Sequence, residues 1–380
     1  MKIFVPAESS AGEPRVAVSL ETAKKFIGLG CTVTIETGAG NGAHISDAAF
    51  TDAGAKIAKT TKQAAKEANI VLKVLRPTPE EAKGYKKGAM VVGILDPYSD
   101  EAGLKALAKA GVSAFAMELM PRITRAQSMD VLSSQSNLAG YKAVIDAAAE
   151  FDRAMPMMMT AAGTIAPARV FVMGAGVAGL QAIATARRLG AIVSATDVRA
   201  VAAEQVQSLG ATFVMVESDD EDGGQTAGGY AKEMSDDYKA RQAELVAETI
   251  KKQDIVICTA LIPGRPAPTL VSKAMVESMK PGSIVVDLAV ERGGNCPLSK
   301  PGKIIVHKDV TIMGHVNVAG RIAVDATNLY AKNLLNFLSP MFGGEGGKFN
   351  IDWEDETVTG TALMRDGKFI HPILVKSNKD

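Results

Sequence analysis

ARVFVMGAGVAGLQAIATARRLGAIVSATDVR, residues 168–199, reads as a strand, a glycine turn, a helix and a second strand. Gly174, Gly176 and Gly179 give the spacing G-x-G-x-x-G, and Asp197 closes the second strand 23 residues after Gly174. In a chain with 36 glycines the spacing alone would mean little. Its place between strand and helix, with an acidic residue ending the next strand, makes it a dinucleotide fingerprint. Gly174 permits the tight turn, Gly176 lets backbone approach a pyrophosphate, and Gly179 lets helix and strand lie close. The anion sits at the helix N-terminus, where free N–H groups and the dipole favour negative charge. Asp197 is placed to accept hydrogen bonds from the adenosine ribose and to repel a 2′-phosphate, which favours NAD over NADP. Arg199, two residues on, is the one group there that could welcome such a phosphate. The competing reading is a Rossmann-like turn with no ligand.

The alternation continues on both sides. AAEQVQSLG reads as a helix, ATFVMVE as a strand, 236–252 as a long helix, and DIVICTA and SIVVDLAV as strands. In the N-terminal third, KIFVP, TVTIE, IVLKVL, MVVGIL and VSAFAMEL are short and apolar throughout, as strands buried on both faces should be. LETAKKFIGLG, KQAAKEA and DEAGLKALAKAG lie between them with helical spacing, and two end in glycine. Strand–helix alternation predicts an α/β fold: two Rossmann-like, doubly wound parallel-sheet domains with a cleft between them. SSQSNLAGYKAVIDAAAEFDRAM, 133–155, is expected to be the connecting helix, capped by its Ser-rich start. VDATNLYAKNLLNFLSPM is a further apolar helix, and Asp366-Gly367 between apolar runs predicts a C-terminal β-hairpin with a type I′ turn. The expected division is 1–132 with 322–380, a Rossmann-like domain of flavodoxin-like type, and 133–321, the NAD(H)-binding Rossmann domain.

Composition narrows the function. Of 380 residues 47% are hydrophobic and 22% charged, which suits a globular protein with a large core. Lys+Arg and Asp+Glu both number 42, so no global field draws in nucleic acid or an anionic membrane. Cys31, Cys258 and Cys296 have no zinc or C-x-x-C spacing and read as reduced buried thiols of a cytosolic protein, with no metal site. The N-terminus lacks a signal-peptide core, and no run approaches ~18 apolar residues, so no direct membrane insertion is expected.

Two segments break the rhythm. ESDDEDGGQTAGGYAKEMS, 217–235, is acidic and Gly-rich, the character of a functional or disordered loop. MELMPRITRAQSMDVLSSQSN, 117–137, joins the last N-terminal strand to the connecting helix and is expected to bring Arg122, Arg125, Gln127, Asp130 and Ser133 to the rim of the cleft; a solvated, well-capped linker is the alternative. His44, His307, His315 and His371 are the only histidines, and none lies in either ligand-facing segment. Oxidising an alcohol or amine normally needs a general base. Moving a hydride between two nicotinamides needs positioning instead, with the reacting carbons ~3–3.5 Å apart.

On PRITRAQSMDVLSSQSNLAGYKAV, MGAGVAGLQAIATARRLGA, TAGGYAKEM, TALIPGRPAP and VVDLAVERGGNCPLS, the chain resembles the soluble NAD(H)-binding component, domain I, of proton-translocating nicotinamide nucleotide transhydrogenases. The resemblance runs over essentially the whole chain. It implies that Arg122 and Gln127 orient the nicotinamide toward the partner's nucleotide, and that Asp130 and Ser133 bind its ribose and carboxamide. It carries NAD(H) contacts to Gly174, Ala175, Gly176, Val177 and Gly179, to Asp197, Val198 and Arg199, to Gly229 and Tyr230 of a mobile loop, and to Thr259, Ala260 and Leu261 of the TALIPG loop. It further implies a homodimer, peripheral on the cytoplasmic face of the membrane, with separate membrane-spanning and NADP(H)-binding subunits. Hydride then passes directly from NADH here to NADP+ there, coupled to proton movement.

Two rivals remain. Alanine dehydrogenase shares the architecture, and Arg15 and Lys73 match its keto-acid-binding positions; but its catalytic His would fall near Asp96 and its catalytic Asp at Glu291. Arg15 and Lys73 are therefore expected to be structural remnants or surface charges. The second rival is a non-catalytic NAD-binding regulatory module.

Overall fold

The computed structural model describes residues 1–99, 101–216, 236–343 and 349–375. The chain divides into two compact units, Met1–Gln135 with Gly320–Asp380, and Ser136–Ala319.

Along the first unit run β1 (Lys2–Val5), β2 (Thr32–Glu36), β3 (Lys56–Ala58), β4 (Ile70–Leu75), β5 (Met90–Ile94) and β6 (Ser113–Ala116). The helix Val131–Glu150 then carries the boundary into the second unit. There follow β7 (Met158–Thr160), β8 (Gly163–Ile165), β9 (Arg169–Met173), β10 (Ile192–Thr196), β11 (Thr212–Phe213), β12 (Ile255–Cys258), β13 (Ile284–Asp287), β14 (Lys303–His307) and β15 (Val310–Gly314). The chain returns to the first unit with the helix Ala323–Leu338, β16 (Ala362–Arg365) and β17 (Lys368–Phe369).

Both sheets have a parallel body with an antiparallel edge, β16 and β17 in the first and β14 in the second, and apolar layers on each face. The first has the order β17-β16-β6-β5-β4-β1-β2-β3 and the second β11-β10-β9-β12-β13-β15-β14. Counting only the parallel strands from β1 and from β9, each runs in the order 3-2-1-4-5-6 of dinucleotide folds, with β15 as the sixth in the second sheet and the antiparallel β14 outside it. The flavodoxin-like order expected for the first unit is not what forms. The difference is β3: only three residues long and paired parallel to β2, it is too short for its pattern to stand out, yet it adds the edge strand that changes the order.

The core strands are buried because they carry almost nothing polar; every residue of β12 and of β13 is buried. On one face of the first sheet the returning helix supplies Tyr330, Leu334, Phe337 and Leu338 to the cluster containing Ile3, Val5 and Phe115. Each such side chain contributes about 1.5–3 kcal/mol relative to exposure, which is what fastens the late segment to strands near the start of the chain.

The C-terminal hairpin forms as expected: Met364 pairs with Phe369 and Arg365 with Lys368. Asp366 and Gly367 both have positive φ, 49° and 80°, as a type I′ turn requires. The connecting helix corrects the expected 133–155. It begins at Val131 and is capped by Asp130, whose carboxylate accepts the Ser133 N–H at 2.9 Å. It ends at Glu150, before Met155-Pro156, where proline disfavours helix in the residue ahead of it. β7 and β8 form a small sheet of their own, every residue of it exposed.

Candidate functional site

In the second unit the order of connection reverses between β9 and β12, so the crevice at their carboxyl ends is the expected ligand position. The fingerprint builds one wall of it. Gly174 leaves β9 with φ 104°, a conformation that favours glycine, and a Cβ there would lie 2.6 Å from Thr259 Oγ1. A Cβ on Gly179 would lie 1.8 Å from the Gly174 carbonyl oxygen, so the helix Val177–Arg188 can approach the turn only with glycine at this position. Gly176 is different: the space its Cβ would enter is open. The other wall starts at Thr259, whose hydroxyl donates to the Gly174 carbonyl at 2.9 Å and ties the end of β12 to the turn.

Asp197 ends β10 beside the same turn. It accepts the Ala175 N–H at 2.7 Å, the Arg199 N–H at 2.9 Å, and the Arg199 guanidinium on both oxygens at 2.9 Å. Burial pushes this carboxyl up, but the hydrogen bonds and charge of Arg199 outweigh burial and hold it below the ordinary range. The sequence expectation treated Asp197 and Arg199 as alternatives facing the ribose; the structure makes them one ion pair. Around the crevice mouth Val177, Val198 and Leu261 are exposed, at 40%, 36% and 45%. Single exposed apolar residues are ordinary, but these follow the carboxyl ends of β9, β10 and β12, around one opening.

The polar loop belongs to the first unit. Ala126 and Met129 are buried, and Asn333 and Asn336 donate to the Ser128 carbonyl at 2.8 and 3.0 Å. Arg125 makes a two-pronged ion pair with Asp355, at 2.9 and 2.8 Å. Its hydrogen bonds hold the Asp355 carboxyl well below the usual carboxylate range. Arg125 therefore anchors the loop, whereas Arg122 and Gln127 are exposed and Asp130 and Ser133 half-buried at the helix start. Thus the structure groups 174–179, 197–199 and 259–261 in one unit, and 122, 127, 130 and 133 in the other. Gly229 and Tyr230 lie outside the described residues.

The first sheet has its own reversal, between β1 and β4, and here the crevice is filled by carboxylates. Glu8, just beyond β1, accepts the N–H groups of Val74 and Leu75 at 2.7 and 3.3 Å and lies 3.5 Å from Lys73 Nζ. Lys73 is wholly buried and also meets Glu81 at 2.8 Å. Arg15, 6% exposed, is held side-on by Glu13 at 2.7 and 2.5 Å and donates to Gln135 at 2.8 Å. Burial raises the Glu8 carboxyl against the pull of Lys73. Of the two expectations for Arg15 and Lys73, the structural one is what forms: both are buried network members and neither is a surface charge. Sequence reading missed the three glutamates that satisfy them. Their signal was faint: an acidic residue just after a strand end, in PAESSAGEPR, where most such residues are simply solvated. Asp96, at the position of the rival family's histidine, accepts from Ser99 Oγ at 2.5 Å, and Glu291 accepts the Asn317 N–H at 3.0 Å.

Among the described residues no group of three or more His, Cys, Asp or Glu could hold a metal ion, and no helix is long and apolar enough to cross a membrane. All three cysteines are buried and free.

Residues 4–139 match the family model described as alanine dehydrogenase/PNT, N-terminal domain, and residues 143–372 the corresponding C-terminal domain. The chain is 57% identical over 379 residues to the first of the parts of NAD(P) transhydrogenase subunit alpha in Rhodospirillum rubrum, covering 98% of this chain and 99% of that protein. It is 46% identical to the protein of the same name in Rickettsia prowazekii, again covering 98% of this chain and 97% of the other. The crystal structure of transhydrogenase from Sinorhizobium meliloti superposes with a TM-score of 0.88 at 57% identity, over 97% of this chain and 100% of that one.

Proposed function

This chain belongs to the alanine dehydrogenase/PNT family, and from that premise we propose that it is the NAD(H)-binding subunit of a proton-translocating NAD(P) transhydrogenase. Two branches of the family suggest themselves, hydride transfer between nucleotides and oxidation of an amino acid. The observation that carries the choice is the filled crevice of the first unit. Arg15 and Lys73, the cations a keto acid would need, are bound by Glu13, Glu8 and Glu81 of the chain itself. A second substrate carboxylate would have to displace buried, hydrogen-bonded glutamates.

The second unit fits a dinucleotide. The open space over Gly176, the helix start at Val177 and the exposed Val177, Val198 and Leu261 suit a pyrophosphate flanked by apolar groups. Bound there, NAD(H) supplies the hydride-carrying carbon, and this chain supplies no proton. Gly174, Ala175, Gly176, Val177 and Gly179 hold the pyrophosphate turn; Asp197, Val198 and Arg199 the adenosine ribose, with NAD selected over NADP; Thr259, Ala260 and Leu261 the facing wall. Arg122 and Gln127 orient the nicotinamide, and Asp130 and Ser133 hold its ribose and carboxamide. Positioning of this kind lowers a barrier by fixing geometry beforehand.

Hydride passes directly to NADP+ on a partner subunit, and a membrane subunit couples the transfer to proton movement. The chain is peripheral on the cytoplasmic face through those partners. It is also a homodimer: Met157, Met158, Met159 and Ile165 are exposed on the lone β7–β8 hairpin, and a two-stranded hairpin is marginal in water unless something covers it.

The test mixes the chain with a recombinant NADP(H)-binding transhydrogenase domain and follows reduction of an NAD analogue by NADPH. Transfer that needs both proteins and falls sharply in Arg122→Ala is expected. Alanine-dependent NADH formation by the chain alone would move the reading to a dehydrogenase. Nucleotide binding with neither reaction would favour a regulatory module.

A further inference from the structure

The stretch ERGGNCPLS has no role in the function proposed so far, yet it contains a wholly buried polar side chain, Asn295. Its carboxamide accepts the Ala260 N–H at 3.1 Å, donates to the Ala260 carbonyl at 2.9 Å, and donates to the Pro268 carbonyl at 2.8 Å. Its own carbonyl accepts the N–H groups of Leu270 and Val271 at 2.8 and 3.0 Å. One residue therefore grips both ends of the excursion from Ala260 to Val271, while residues 261–266 between them are exposed.

The neighbours explain how an asparagine comes to point inward here. Gly293 and Gly294 have φ values of 97° and 82°, which turn the chain back toward β13. A Cβ on Gly294 would lie 2.7 Å from the carboxylate of Asp287. That carboxylate is itself buried and accepts the N–H groups of Ala289 and Cys296 at 2.9 and 3.0 Å. Asp287 thus seats the backbone on either side, and Asn295 projects from the seat into the base of the loop.

We infer that Asn295 is a positioning residue for nucleotide binding: it fixes the height and direction at which the Thr259–Gly264 loop leaves β12 and faces the Gly174 turn. The inference rests on the NAD(H)-binding reading of the second unit. Thr259 already joins the loop to the Gly174 carbonyl; Asn295 holds the next residue through both its N–H and its carbonyl, so Ala260 cannot shift without breaking those two bonds. A buried amide that satisfies three backbone groups is costly to lose and specific in geometry. A loop held at its base and free at its tip can meet a ligand without first losing conformational freedom throughout its length.

The experiment compares Asn295→Asp with Asp254→Asn in the full chain. Asn295→Asp keeps an acceptor for the Ala260 N–H but turns a negative charge toward two carbonyls. Asp254 is a buried carboxylate that accepts the Arg169 N–H at the opposite end of the second sheet, so its variant reports loss of stability alone. NADH dissociation constants are read by fluorescence titration, melting temperatures by calorimetry, and hydride transfer at saturating NADH with the NADP(H)-binding domain. For Asn295→Asp we expect a rise of about tenfold in the NADH dissociation constant, the equivalent of one lost hydrogen bond to the loop, with saturated transfer within about twofold. Asp254→Asn should lower the melting temperature and leave NADH binding unchanged. If Asn295→Asp does not fold, Asn295→Ser, too short to reach Pro268, takes its place. A lowered melting temperature with unchanged NADH binding in the Asn295 variant overturns the inference. If the unaltered chain binds no NADH, it is the nucleotide-binding reading that has failed.

Discussion

The parallel strands of the two sheets share one order, and with it one kind of crevice, yet the crevices have opposite contents. At the end of β9 the chain places Gly174 and Gly176, and the space above Gly176 is open. At the end of β1 it places Glu8, and with Glu13 and Glu81 this fills the opening with carboxylates against Lys73 and Arg15. A fold therefore supplies a place for a ligand, and the residues just past the strand ends decide whether anything can enter. Buried cations with their own carboxylates hold little binding potential for a third party. A glycine turn with exposed apolar neighbours holds a great deal.

The largest effect is expected where the filled crevice is broken. Glu13→Ala leaves the buried Arg15 guanidinium without its carboxylate, at a cost of about 3–5 kcal/mol in urea denaturation. If the glutamate stands where a ligand carboxylate could, millimolar acetate should restore some of that loss and chloride should not. Equal restoration by both salts would make the network ordinary ion pairing. Gly179→Ala attacks the open crevice. Its Cβ meets the Gly174 carbonyl, so a loss of about 1–3 kcal/mol should accompany much weaker NADH fluorescence binding; unchanged binding would remove the turn from the site.

A smaller, pH-dependent effect is expected at Glu118, which accepts the Leu95 and Asp96 N–H groups near the filled crevice. Burial pushes its carboxyl up to about 7. A raised carboxyl contributes stability below its unfolded value near 4.5 and loses it as pH rises through about 7. Glu118→Gln should therefore stabilise the protein at pH 8, by about 1–2 kcal/mol, and make no difference at pH 4; the same gain at both pH values would rule out the carboxyl's titration as its source. Smallest of all is Arg125→Ala. Arg125 is exposed and its partner Asp355 only half-buried, so hydride transfer should stay within about twofold of the unaltered chain, unlike Arg122→Ala. A loss equal to that of Arg122→Ala would place Arg125 at the nicotinamide.

The contrast between the crevices was only half legible in the sequence. Glycine spacing between a strand and a helix announces the open one, because each glycine is required by a turn or a close approach. The filled one depends on Glu8, Glu13 and Glu81 meeting Lys73 and Arg15, in the case of Glu8 and Lys73 across 65 positions, and no local pattern records that meeting. Turns show the same division. Asp366-Gly367 is readable as a hairpin, whereas Lys308-Asp309 joins β14 to β15 with φ likewise positive at both residues, 48° and 59°, and carries no glycine to reveal it. That antiparallel edge pair was missed, as was the three-residue β3. The Asp197–Arg199 pair was legible as two residues and not as one bond, since side-chain direction is not written in spacing.

The returning helix Ala323–Leu338 has a consequence for the order in which the molecule is made. Strands β1 to β6 leave the ribosome first, but Tyr330, Leu334, Phe337 and Leu338, which complete their core, come after the whole of Ser136–Ala319. At about 5–20 residues per second the gap is roughly 9–37 s for those 184 residues. During that interval the nascent first sheet keeps an apolar face in water, while the second unit has all of its own chain and can fold. The earliest strands synthesised are thus the last to be finished, and the newborn chain is most exposed to aggregation and to chaperones at its oldest end.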